Sequence, residues 1–263
     1  NISVSTISNI ERGFAHVKEE KVNYLLKKLG LDMDELSQLE YHQQKKDQQL
    51  ALELKAIESW ISCEEYEKAL EALQKIHISD THHLSGWLHY LRGKCFLAKE
   101  DWKKAQQAFQ EAIRLSKANQ FKANMEALCM NELSQCFYRQ NQLEQALSFV
   151  EKGLMAFRED EERSYVKYHL MLNKIVYLRE LDRESEAMKL VQHLWEHMAE
   201  INNCHLILKL YLQRVELLEQ ALLYDDALRY ADEGIEIARL NRQYDYLCEL
   251  WTQMGKVFAR LDD

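Results

Sequence analysis

The chain has 263 residues, of which 47% are hydrophobic and 29% charged, with no proline and a formal net charge of -9 at pH 7. That composition belongs to a folded chain rather than a disordered one, and the acidity excludes a protein that binds nucleic acid through its whole surface. No apolar run reaches the roughly 18 residues that a membrane span needs. The six cysteines form no Cys-x-x-Cys pair, which fits a cytoplasmic protein whose thiols serve packing.

The charge is uneven. Residues 1–30 carry Arg12, Lys18, Lys21, Lys27 and Lys28 against Glu11, Glu19 and Glu20, so a basic head precedes an acidic body. Val4, Ile7 and Ile10 recur at helical spacing and predict a short helix ending at Gly13, with Ser3, Ser5, Thr6, Ser8 and Asn9 on its other side. A second helix is predicted from Lys18 to Leu29, burying Val22, Leu25, Leu26 and Leu29 and closing at Gly30 in the left-handed conformation. Residues 40–47 lack an apolar stripe and contain neither Gly nor Pro, which predicts a helical linker over 39–47 between a head over 1–38 and a body over 48–263.

The body repeats. Ala69, Ala105, Ala146, Ala187 and Ala227 have similar neighbours, and their separation of about 40 residues is the period of a solenoid. In the clearest copy, Gly93 and Phe96 share one face of a first helix, while Ala105, Phe109 and Ala112 form one stripe on a second. The small residues admit the partner helix and the aromatic fills the gap. Trp60, Phe96, Phe137, Leu178, Leu218 and Phe258 occupy one equivalent site on successive first helices and are expected in the core. Ser134, Ile175 and Val215 stand where Gly93 does. Gly255 and Phe258 begin a sixth first helix whose alanine would fall beyond Asp263, so a chain continuing past that point is expected. The unit resembles the tetratricopeptide repeat, which implies an all-α, right-handed superhelical solenoid of about five and a half repeats.

Side chains left over on the first helices are predicted to line the concave face. They are Trp87, Tyr90 and Lys94, then Asn131, Gln135, Tyr138 and Arg139, then His169, Asn173 and Arg179, then Lys209, Gln213 and Glu216, and on the last helix Thr252 and Lys256. An amide-rich groove of mixed charge suits an extended peptide, because one Asn side chain can donate to and accept from a backbone amide at once. No Gly-rich phosphate loop, Gly-x-Ser-x-Gly or His-Glu-x-x-His is present, so no enzyme activity, cofactor or metal is expected. His193 and His197 are four residues apart on a second helix and read as a packed or solvated pair.

The string Val4-Ser5-Thr6-Ile7-Ser8-Asn9-Ile10-Glu11-Arg12-Gly13, followed by Leu29-Gly30-Leu31, resembles the second half of a Cro/repressor-type helix-turn-helix domain. The resemblance implies that Ser5, Thr6, Ser8, Asn9 and Arg12 face DNA, and that two further helices precede Asn1 in the intact protein. Such a head on repeats of this length is similar to the Gram-positive peptide-responsive regulators, the Rap, NprR, PrgX and PlcR group, and within it to NprR-like and PlcR-like transcriptional regulators. Asn131 and Asn173 look like the paired asparagines with which that family holds a signalling peptide. The family resemblance implies a quorum-sensing regulator, a homodimer or higher oligomer, in which a short secreted peptide in the groove switches oligomeric state and DNA binding. There Asn131 and Asn173 would hold the peptide backbone, Lys94, Arg139, Arg179 and Lys209 its carboxylates, and Trp87, Tyr90 and Tyr138 its apolar side chains. Two alternatives stand beside it. One is a Rap-like phosphatase of a response regulator, with Gln43 or Gln44 orienting a water; the other is a scaffold for a protein tail.

Overall fold

The computed structural model describes residues 7–8, 18–30, 33–119 and 123–261, and every long element among them is an α-helix. We number the helices α1 (Glu19–Leu29), α2 (Met33–Ser62), α3 (Tyr66–Lys75), α4 (Ser85–Ala98), α5 (Trp102–Ala118) and α6 (Met125–Arg139). They continue as α7 (Leu143–Ala156), α8 (Tyr165–Glu180), α9 (Glu184–Glu196), α10 (Cys204–Gln220), α11 (Tyr224–Leu240) and α12 (Tyr244–Leu261). Among the described residues no helix is long and apolar enough to cross a membrane. The chain forms two compact units, Asn1–Ala56 and Ile57–Asp263.

In the first unit, α1 occupies the predicted span and ends at Gly30, whose φ of 70° lets its N–H turn back to the carbonyls of Leu26 and Lys27. Val22, Leu25 and Leu26 are half-buried, but Leu29, on the last turn, is exposed. Of the predicted DNA-facing residues, Ser5, Thr6, Asn9 and Arg12 lie outside the described residues; Ser8 is helical and half-buried. Residues 39–47, read as a linker, lie inside the unbroken helix α2, and the unit boundary falls later, between Ala56 and Ile57. A polar surface on a helix does not interrupt it when Gly and Pro are absent.

The second unit is the repeat array. In it α3 packs on α4, and α4 pairs with α5, α6 with α7, α8 with α9 and α10 with α11, before α12 closes the series. Each first helix ends in the same way without glycine. Glu64, Glu100, Asn141, Asp182 and Leu222 all have φ between 56° and 62°. The N–H of the next residue then returns to a carbonyl five positions back: Glu65 to Trp60, Asp101 to Phe96, Gln142 to Phe137, Arg183 to Leu178 and Leu223 to Leu218, at 2.9–3.0 Å. This is the Schellman cap, and holding an L-residue there costs about 1 kcal/mol or more.

The five repeat alanines are fully buried. Gly93 shows why small residues are needed, since a Cβ on it would lie 2.5 Å from the Phe109 ring. Ser134, at the same repeat position, is buried, donates to the Asn131 carbonyl at 2.6 Å and meets the Tyr177 hydroxyl at 3.1 Å. The recurring large residues are less buried than expected. Leu178 and Leu218 are in the core, but Trp60, Phe96 and Phe137 are half-buried and Phe258 is 51% exposed. Lysines of the following helices cover two of these rings, Lys68 over Trp60 at 4.4 Å and Lys104 over Phe96 at 5.6 Å. A lysine stem on an aromatic face shields it while the ammonium stays wet, so the site needs no full burial.

Cys95, Cys129 and Cys136 are buried, and burial pushes the Cys95 thiol up to about 11 and that of Cys136 up to about 12. These thiols stay protonated at neutral pH, as packing residues do.

Candidate functional site

The first helices of the repeats place a strip of polar side chains side by side, and its centre is a ladder across three of them. Asn173 on α8 donates through Nδ2 to Oδ1 of Asn131 on α6 at 2.8 Å. Lys209 on α10 donates through Nζ to Oδ1 of Asn173 at 2.9 Å. Both asparagines are buried. The two bonds fix which way the Asn173 amide points, because its oxygen accepts the lysine and its nitrogen serves the other asparagine. Burial pushes the Lys209 ammonium pKa down, so this cation rests on an amide dipole with its water largely removed.

At the α4 side of the ladder lies a partly open cavity of about 300 Å³. Glu58 and Tyr66 border it from the first repeat, Tyr90 and Lys94 from the second, Asn131, Glu132 and Gln135 from the third, and Tyr165 and His169 from the fourth. Glu132 is its buried centre. Oε1 of Glu132 accepts from Lys94 Nζ at 3.3 Å and from the Tyr90 hydroxyl at 3.4 Å. The Glu132 carboxylate raises the Lys94 pKa, overcoming the desolvation that opposes it. His169 carries no charge at neutral pH, since burial pushes it down to about 4. Arg163, just before α8, reaches the first repeat: its Nη2 lies 3.6 Å from Glu58 Oε2 and its guanidinium sits 5.1 Å from the Trp87 ring centre.

At the other end, Arg179 donates to Gln213 Oε1 at 3.2 Å and is ion-paired with Glu216 and Glu180. Gln213 and Gln253 both donate to Glu216 at 2.9 Å. Tyr138 stacks on Tyr177 with ring centres 4.9 Å apart.

The predicted groove residues therefore divide. Tyr90, Lys94, Asn131 and Gln135 border the cavity, and Asn173 and Lys209 continue from it. Arg179 and Gln213 belong to a separate network further along. Arg139 is exposed, and Trp87 is buried under Arg163 rather than bordering the cavity. Lys94 and Arg179 already face carboxylates and Lys209 an amide, so a ligand carboxylate meets no uncommitted cation among these three.

Sequence reasoning missed Glu58, Tyr66, Glu132 and Tyr165. One signal was present. Glu132, Asn173 and Gln213 each stand fourteen residues before their repeat alanine and are all buried, so the array carries a polar side chain at one inward position in three successive copies. Pairing Asn131 with Asn173 looked one residue out of that register. Glu58 and Tyr165 had no local signal, because winding of the array brings them together across about a hundred residues.

No protein-family model and no curated protein sequence matches this chain. Solved structures do match. RapI in its apo form aligns over 98% of this chain and 70% of its own length, with a TM-score of 0.59 and 16% identity. PilF from Pseudomonas aeruginosa aligns over 82% of this chain and 94% of its own, with a TM-score of 0.54 and 15% identity. Tetratricopeptide-like repeats of a putative kinesin light chain from Podosopora anserina give a TM-score of 0.55 at 10% identity, over 74% of this chain and 97% of theirs. At these identities the likeness is one of fold, and the fold is that of the tetratricopeptide repeat.

Proposed function

We propose that the repeat unit is a receptor for a short extended peptide, held along the strip that runs from the cavity through Asn131, Asn173 and Lys209. The observation that carries this reading is the ladder itself. Two buried asparagines and a half-buried lysine bond to one another across adjacent helices, an arrangement that costs stability and is offset when a ligand of matching hydrogen-bonding groups is bound. Asn131 presents its amide at the cavity, where a peptide backbone can pair with it, and Tyr90, Tyr66 and Tyr165 supply apolar wall.

In the intact protein, peptide occupancy would alter the array and switch oligomeric state and DNA binding by the head, as in the peptide-responsive regulators that the sequence resembles. Calorimetric titration with a pool of random hexapeptides, beside Asn173→Ala, tests the receptor. Saturable binding that weakens in the variant supports it, and equal binding by both proteins removes the ladder from the site. Dephosphorylation of a response regulator is the second reading. Gln43 and Gln44 are exposed on α2, with Gln43 Nε2 donating to Asp47 at 2.8 Å, and a phosphotransfer assay decides it.

A further inference from the structure

The last helix of the array leaves bare a face that the earlier repeats close. A shift of 40 residues carries Leu208, Tyr211, Val215 and Leu218 of α10 onto Cys248, Trp251, Gly255 and Phe258 of α12. On α10 all four are buried: Leu208, Val215 and Leu218 share one apolar cluster with Ala227 and Ala231 of α11, and Tyr211 donates to Glu233 of α11 at 3.3 Å. Gly93, Ser134 and Ile175, which stand at the same position as Val215, are buried too.

On α12 the stripe is open. Trp251 is 55% exposed, Cys248, Gly255 and Phe258 are also exposed, and Tyr244, at 66%, extends the stripe by one turn. A Cβ on Gly93 would meet the Phe109 ring, whereas one on Gly255 meets no atom within 4 Å. Tyr246, Leu250, Met254 and Val257 on the other side of α12 are buried in the array, so the helix is held in place. Elsewhere a helix covers this face, and a helix is what fits it here.

The stripe matches its own reverse. Glycine and cysteine lie on either side of Trp251, and an aromatic stands at each end. Asp245 near the start and Lys256 near the end, both exposed, flank the stripe on one side, so an antiparallel copy sets opposite charges beside each other. We propose that two copies of this chain pair through α12, antiparallel about a two-fold axis near Trp251. Tyr244 then lies beside Phe258 of the other copy, Cys248 beside its Gly255 and Asp245 beside its Lys256, and the absent Cβ of Gly255 lets the backbones approach. The inference does not depend on the peptide reading, since Gln253, which reaches Glu216 in the strip, is on the opposite side of α12.

Sedimentation velocity of the full chain at about 1–100 µM should show reversible dimerisation, because an interface centred on one helix is small. Trp251→Glu and Gly255→Gln should each weaken it about tenfold or more. Gly255→Gln raises helix propensity and meets no atom of its own chain, so its effect reads the contact and not the fold. Asp245→Lys and Lys256→Asp should each weaken pairing, and a mixture of the two variants should restore it, since both ends then join opposite charges. A chain that stays monomeric at about 100 µM, a dimer untouched by Trp251→Glu and Gly255→Gln, or a mixture no tighter than either variant alone overturns the inference. A monomer that binds a synthetic peptide of the α5 sequence, Trp102–Ala118, and loses it in Trp251→Glu also overturns the pairing of copies, and assigns the face to a helix of the second-helix type.

Discussion

The two sides of one first helix follow opposite rules, and α6 shows both. In its packed seam it buries Cys129, Leu133 and Cys136, all apolar. Along the strip it presents Asn131, Glu132 and Gln135, of which the first two are as buried as the seam but polar. The seam gains free energy for every side chain it removes from water. The strip spends some of it, because buried amides and charges repay their lost hydration only through exact partners. A solenoid can afford such a strip because each repeat is stabilised by its neighbours and not by a single central core.

The seam should therefore give the largest effects on stability. Phe109 is fully buried against Gly93, so Phe109→Ala should destabilise the protein by about 3–5 kcal/mol in urea unfolding. A loss below about 1 kcal/mol would show that the seam collapses around the cavity and is less tightly packed than the geometry indicates.

The strip should respond to acid first. The His169 pKa is depressed from 6.5 to about 4, so below the higher value the unfolded chain takes up a proton that the folded chain refuses. Stability that is fully present above about pH 6.5 should fall as pH drops towards 4, by up to about 3 kcal/mol, and His169→Gln should flatten that part of the profile. An unaltered profile in the variant assigns the acid sensitivity to other groups.

A smaller effect separates ligand binding from folding. Asn173→Ala leaves Lys209 and Asn131 without their shared partner and should weaken peptide binding by about ten- to a hundredfold, or about 1–3 kcal/mol. Leu250→Ala, in the fully buried seam of α12, should leave the affinity of the folded fraction unchanged. The smallest effect belongs to the turns. Leu222 is 63% exposed at φ 61°, so Leu222→Gly relieves backbone strain without losing packing and should stabilise the chain by about 1 kcal/mol in thermal unfolding.

The sequence by itself determined the helices, the repeat frame and the inward alanines, because a period near 40 and a stripe at helical spacing are local properties of a chain whose neighbouring repeats pack alike. It also placed Asn131, Asn173, Lys94 and Tyr90 on the strip, since first-helix residues not needed in the seam must face elsewhere. It did not reveal that Glu100, Asp182 and Leu222 take the turn positions usually given to glycine, because nothing in the local sequence marks an ordinary side chain for the left-handed conformation. Only the tertiary structure decided which strip residues are already paired. Lys94 and Glu132 lie 38 positions apart, and Glu58 and Arg163 belong to the first and fourth repeats. Such meetings depend on the rise and winding of the whole array, a sum of small rotations at each helix interface that no single repeat encodes.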